Sequence, residues 1–560
     1  MIDSIPAPPS REELKILVID NQSLVHEVVG SALNEMGIRK VFSALNAYHA
    51  LRLCDDNKFD FILIAFNVSN DRDGFHLFEE LKHLGHITEQ TTVVFLSAET
   101  SAELVNCIVE LQPHDFWVKP LDRHRIENRL NFLIEVKRQM HRLEHFVANR
   151  EYAAAIYQAE RKLKDKSLVD FHPRLKRIIG EALMHLRDFE RAEMYYRDLL
   201  TSCDYAWVNI GLARALLRQD KLEEAETLIE DLLERRDTRF LTYDLLAQYY
   251  IEKEMYEEAY EQIKRASALA PRNIERNRRL WDLARLNHDK QGQLAAVQNM
   301  AKYAKNSIHD SPDLSLNVIR SMIDLATSSN DADVTKLVKR AEKEIEDLRA
   351  RKGNEKQLTE QLDVIHARIK CLKADKKGAE AIMKSKRPDA GGLSMEDNLD
   401  KMKAFHELGM REHCLKILDT LRKQIAGDTF SSQVVDEYLK QESIERTEIQ
   451  FTTKELKDMA TTNYRENRVL PAYNNLQQAM VLSPMDKQIA LSLLKVLVQL
   501  SKSETLNAQQ LANANKAASL LVNSSLSPTQ EERRDKYIQL LSLDVSAKND
   551  EGEEKSFSLA

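Results

Sequence analysis

Four short apolar runs in the first quarter of the chain end on residues whose types invite a chemical question. KILVI runs into Asp20 and Asn21, FDFILI into Ala65 and Phe66, TTVVFL into Ser97, and DFWV into Lys119 and Pro120. A carboxylate, a hydroxyl and an ammonium at neighbouring strand ends could bind a hard cation or a phosphoryl group. Covalent capture of phosphate as an acyl phosphate needs more, a carboxylate nucleophile, and the methyl group of Ala65 cannot attack phosphorus. Asp60 cannot stand in, because five strand residues at about 3.3 Å each put it roughly 16 Å away. Asp71 and Asp73, in the loop DRDG, could swing inward but lie off the strand end. Elsewhere no phosphate-cradling glycine loop, zinc spacing or nucleophile elbow occurs, and the 16 histidines show no HExxH or paired Cys/His spacing. No catalytic residue and no metal site is expected.

The elements that must position these residues alternate in type. KILVID, KVFSAL, FDFILIAF, TTVVFLSA and DFWVKP read as strands. Between them lie the amphipathic stretches 22–36, AYHALRLCDD, DGFHLFEELKHLG and SAELVNCIVELQ. Strands this apolar, separated by helices, predict a parallel sheet covered on both faces, with ligand chemistry at the C-terminal strand ends.

The series VIDN, ILIAFN…DG, FLSA and WVKPL resembles the receiver domain of bacterial response regulators, over roughly the first quarter of the chain. The resemblance implies a doubly wound, flavodoxin-like, five-stranded parallel sheet. It places the family's acidic pair on Asp20 and Asn21, its phosphoacceptor on Ala65 and its hydroxyl on Ser97. The lysine before a cis proline falls on Lys119, and the switch aromatic on Phe116. Counting with a shorter loop moves the phosphoacceptor to Phe66, so neither register supplies a carboxylate. The pocket is therefore degenerate, Mg²⁺ is not expected in it, and no cofactor is assigned. Lys119 needs a counter-charge, and Asp20 is the nearest candidate. Either that pair holds the pocket in one state, or Lys119 and Ser97 are fold residues without a present role.

Beyond Pro120 the chain reads as helical. Ile126, Leu130, Leu133, Met140, Leu143 and Val147 form one stripe, interrupted by Lys137, which favours intramolecular packing over a coiled coil. Then the chain repeats. Gly180, Ala213 and Ala247 each precede by twelve positions Ala192, Ala225 and Ala259, and the latter are 33 and 34 apart. Ala460 and Ala472 show the same spacing. Small residues at this period mark close helix–helix approach, and the sequence resembles a tetratricopeptide array of roughly 34-residue units. The resemblance implies a groove lined by first helices, on which Arg214, Arg218, Gln248, Tyr249 and Tyr250 are candidates for peptide contact.

The expected organisation is a receiver-like domain at 12–136 and a tetratricopeptide array at 137–305. Degenerate helical repeats follow at 306–383, a linker at 384–398, further repeats at 399–545 and a disordered tail at 546–560. The class is α/β plus all-α: a sheet domain followed by an α-solenoid. Thirty per cent charged residues with only 14 Gly and 12 Pro fit that class, and a formal charge of −8 gives no field for nucleic acid. Five scattered cysteines, an acidic proline-rich start and no long apolar run point to a cytoplasmic protein with no membrane span. The expected function is a non-enzymatic signalling adaptor of a two-component or phosphorelay system, with protein partners on the receiver face and the repeat groove. A regulator phosphorylated on a surrogate acid, and a self-associating scaffold, are the alternatives; a homodimer is left open.

Overall fold

The computed structural model describes residues 8–68, 73–88, 90–99, 108, 110–329, 331–352, 356–386, 394–424, 430–449, 451–502, 505–524 and 526–543. The tail from 546 and residues 387–393 of the expected linker lie outside the described residues; the linker's last four residues, 395–398, instead begin the helix Met395–Glu407, which Ser394 caps. The chain divides into two compact units, Met1–Asn277 with Asn299–Asp310, and Arg278–Gln298 with Ser311–Ala560.

In the first unit five parallel strands, β1 Lys15–Ile19, β2 Lys40–Ala44, β3 Phe61–Ala65, β4 Thr92–Ser97 and β5 Asp115–Val118, stand in the order β2-β1-β3-β4-β5. Alternate side chains enter two cores. Leu17, Ile19, Ile62, Ile64 and Phe95 face α2 (Ala47–Asp56) and α3 (Gly74–His83). Ile16, Val18, Phe61, Leu63, Val94 and Leu96 face α1 (Ser23–Glu35) and α4 (Arg123–Ala148). Burial on both faces is why β1, β3 and β4 read as unbroken apolar runs, whereas the edge strands β2 and β5 are partly exposed. The stretch expected to form a helix before β5 lies largely outside the described residues.

Helix α4 runs unbroken through position 136, where the sequence reading ends the first domain, and stops at Asn149. Lys137 explains part of this. It is buried, and its ammonium donates to the carbonyls of Gln90 (2.5 Å) and Asp60 (3.1 Å), beside the Asp60 carboxylate at 3.7 Å. Burial lowers its pKa, with the Asp60 charge opposing. The polar residue in the stripe thus fastens α4 to the N-terminal ends of the strands, so this helix packs within its own chain.

Helical hairpins follow: α5 (Tyr152–Leu163) and α6 (His172–His185), α7 (Phe189–Leu200), α8 (Ala206–Arg218), α9 (Leu222–Glu234), α10 (Arg239–Glu252) and α11 (Tyr256–Leu269). Helices α12 (Ile274–Leu286) and α13 (Lys290–Ala304) come next. The turn between paired helices carries one left-handed residue each time: Arg187 (φ 58°), Asp220 (62°), Glu254 (60°) and His288 (53°), in steps of 33, 34 and 34. The period therefore continues one unit past the point where the small-residue spacing fades. The expected packing residues Gly180, Ala192, Ala213, Ala225, Ala247 and Ala259 are all buried. Tyr196 shows why: a Cβ on Gly180 would lie 2.5 Å from its hydroxyl oxygen, and one on Gly211 2.4 Å from its ring. Gly180→Ala should destabilise the first unit by about 1–3 kcal/mol, as overpacking does, read as a lower urea midpoint with unchanged slope.

The second unit holds hairpins α14/α15 (Pro312–Ala326, Asp331–Lys352), α16/α17 (Lys356–Leu372, Lys376–Met383) and α18/α19 (Met395–Glu407, Arg411–Gln424). Helices α20 (Phe430–Glu448), α21 (Thr453–Arg465), α22 (Val469–Leu482), α23 (Lys487–Leu500), α24 (Ala508–Val522) and α25 (Pro528–Leu541) complete it. Ala460 and Ala472 are buried where α21 meets α22. The first helices α14, α16 and α18 are tied together by buried charge. Arg368 bonds Asp324 (2.8 Å), Asp400 (2.7 Å) and Glu407 (2.7 Å), Lys403 bonds Asp324 (2.6 Å), and Arg320 bonds Asp397 (2.5 Å). Burial alone would raise the pKa of Asp324, but the Lys403 and Arg368 charges reverse this and hold it far below the usual carboxylate range.

Candidate functional site

Strand register places the sequence-derived pocket side by side. Ile19 pairs with Ile64, Ala65 with Leu96, and Ser97 with Val118, so Asp20, Ala65, Ser97 and Lys119 follow one another across the C-terminal edge. The order reverses between β1 and β3, the switch point at which such sheets place their sites. Asp20 is fully buried. Its Oδ2 lies 2.6 Å from Lys119 Nζ, and its Oδ1 accepts from the Gln22 amide at 3.0 Å. Lys119 precedes Pro120 through a cis peptide bond. Ser97 Oγ donates to Glu99 O at 3.1 Å and accepts from Glu99 N at 3.0 Å. Asn21 is exposed, Phe116 is half-buried on β5, and Ala65 is buried.

Around Ala65 the chain closes tightly. A Cβ on Gly74 would stand 2.1 Å from the Ala65 carbonyl oxygen, so only glycine lets α3 start here. Asp73 caps that helix, accepting from the His76 amide at 2.9 Å. Asp71 lies outside the described residues.

Asp73 has a second partner that sequence reading missed. Arg272, in the turn before α12, donates from Nη1 to Asp73 Oδ2 at 2.6 Å, with its guanidinium 5.3 Å from the Phe66 ring and 5.7 Å from the Tyr303 ring. His76 Nε2 lies 2.7 Å from the Tyr303 carbonyl oxygen. A few residues on, Asn273 donates to Glu110 at 2.5 Å, and Arg276 bridges Glu110 and Asp244, the latter at 2.5 Å. Burial would lower the Arg276 pKa, but the hydrogen bond and charge of Asp244 and the charge of Glu110 raise it instead. Glu110 itself is raised by burial, against the opposing Arg276 charge. These contacts join the sheet domain to the helical array inside the first unit. The cluster PRNIERNRR was the available signal, but nothing in its spacing names partners more than 160 residues away.

In the expected groove, Arg214 is exposed. Arg218 pairs with Glu252 at 2.6 Å, and Gln248 lies 3.4 Å from the same carboxylate. Tyr249 and Tyr250 are buried, the former donating its hydroxyl to Asp220 at 2.8 Å. These tyrosines are packed between helices in this structure. Burial pushes the Cys54 thiol up to about 12 and the Cys371 thiol likewise. Cys203 and Cys414 are also free, and Cys107 lies outside the described residues. Among the described residues no group of three or more His, Cys, Asp or Glu is placed to hold a metal, and no helix is long and apolar enough to cross a membrane.

Residues 16–131 match the family model of the response regulator receiver domain. The strand order β2-β1-β3-β4-β5 agrees with that match. Among solved structures, the crystal structure of the APC/C hetero-tetramer Cut9–Hcn1 is similar at 10% identity and a TM-score of 0.23, over 73% of this chain and 98% of that one. The P58(IPK) TPR domain is similar at 13% identity and a TM-score of 0.19, over 66% of this chain and all of that one. The solenoid assignment rests on the hairpins, their buried small residues and their periodic left-handed turns.

Proposed function

We propose that this chain is a non-catalytic signalling adaptor. Its receiver domain works as a docking module that does not store phosphate, and its helical hairpins bind a protein partner. The observation that carries this reading is the fully buried Asp20 paired with Lys119 at 2.6 Å, in a pocket whose third strand ends in Ala65. The lysine that would meet a phosphoryl group is already neutralised. Mg²⁺ has no part in the reading, because a hard cation needs several oxygen ligands. Here one Asp20 oxygen is held by an ammonium and the other by an amide, Asn21 is exposed, and position 65 offers a methyl group. Asp73 fits a phosphoacceptor poorly, since one of its oxygens caps α3 and the other bonds Arg272.

The test is incubation of the full chain with a small-molecule phosphodonor and Mg²⁺, then borohydride trapping and mass spectrometry. No trapped aspartate is expected. An acyl phosphate on Asp71 or Asp73 would establish the surrogate-acid regulator instead. For the docking half, a partner captured from the host by the full chain should be lost with Arg214→Glu, at the exposed groove position. Retention would place the partner on another face, and a chain that elutes as a higher oligomer and captures only itself would favour the scaffold.

A further inference from the structure

The joint between the receiver domain and the array contains an acid, Glu79, with no cationic partner among the described residues. Five carboxylates meet there: Asp73 and Glu79 from α3, Glu110 from the segment before β5, Asp244 from α10 and Glu275 from α12. The two guanidiniums have their partners. Arg272 holds Asp73, and Arg276 is shared by Glu110 and Asp244. Glu79 Oε2 is buried and accepts no hydrogen bond among the described residues. The other ionisable groups that these elements carry within the first unit are His76, Glu80, Lys82 and His83 on α3, Tyr48, His49, Arg52, Cys54, Asp55 and Asp56 on α2, Arg239, Tyr243, Tyr249, Tyr250 and Glu252 on α10, and Lys302 and Tyr303 on α13.

We propose that this joint is a proton-sensitive latch, in which neutral Glu79 lets the receiver domain seat on the helical array and ionised Glu79 loosens it. A neutral carboxyl can sit here at small cost, whereas ionised Glu79 adds one more negative charge beside Asp73 and Glu110, with its Oε2 cut off from water and from any donor among the described residues. The charge of Glu79 is thereby coupled to the closed joint. Burial, then the negative charges of Asp73, Glu110 and Glu275, push its pKa from 4.5 up to about 7. The closed joint therefore holds the proton more tightly than an open one. Its stabilisation is complete below about 4.5, falls as pH rises towards 7, and is gone above that. The latch operates on this joint whether or not the chain is an adaptor.

Hydrogen exchange of the full chain, corrected for the intrinsic pH dependence of exchange, reads the joint directly. In the wild type, protection at residues 74–83 and 273–277 should fall on the order of tenfold between pH 5.5 and 8. Glu79→Gln, neutral throughout, should keep the acid-side protection at both values. Arg272→Ala should be open at both. An unchanged wild-type profile, the same pH dependence in Glu79→Gln, or full protection in Arg272→Ala would each overturn the proposal.

Discussion

Arg368→Met is expected to destabilise the second unit by about 3–5 kcal/mol, the cost of removing one partner from a buried ionic cluster. The guanidinium is 2% exposed and holds Asp324, Asp400 and Glu407 at 2.7–2.8 Å. Methionine keeps much of the volume but leaves three carboxylates facing one another in a space that excludes water. Lys403 still reaches Asp324 and Arg320 lies 3.6 Å from Asp400, so Glu407 bears most of the loss. The pH dependence separates this from a packing defect. In the wild type, Asp324 is held well below its ordinary value, so its contribution is present above about 4 and is lost as pH falls. In the variant the stranded acids gain by taking up protons, so the deficit should shrink from pH 7.5 to pH 5. Urea midpoints of both proteins across that range make the comparison. A deficit below 1 kcal/mol, flat with pH, would mean that water already reaches the cluster.

Lys119→Met is expected to cost the first unit about 3 kcal/mol, because Asp20 is fully buried and its counter-charge is 2.6 Å away. Asp20→Asn should cost less, since Lys119 is 13% exposed and its ammonium can turn towards water. The double variant should lose less than the sum of the two, which a double-mutant cycle reads as coupling. Losses that simply add would make Lys119 and Asp20 independent fold residues, and the pocket an inherited surface without a locked state.

Local periodicity made much of this molecule legible. Side chains that alternate or recur every third and fourth position report which face is buried, so the five strands and the small-residue hairpins were readable as they stand. The Asp20–Lys119 pair was also within reach, because a parallel sheet brings strand ends together whatever lies between them. The same kind of reading ended the first domain at 136, since periodicity does not show that Lys137 would tie α4 to the sheet through Asp60 and Gln90. It offered Tyr249 and Tyr250 to a ligand, whereas hairpin packing buries them. The array expected over 137–305 included the hairpin around His288, where the small-residue spacing weakens and the period survives in a backbone angle.

By itself, then, the sequence determined the receiver sheet, the methyl group of Ala65 at the end of its third strand and the helical hairpins, all properties carried by neighbours in the chain or in a regular lattice of strands. Only the tertiary structure decided that Arg272 reaches Asp73 across 199 positions, that Arg276 reaches Glu110 across 166, and that Glu79 Oε2 is buried with no partner among the described residues. Such pairings depend on small rotations summed over several stacked hairpins. A change of a few degrees per repeat would aim the same arginine elsewhere with every local pattern intact.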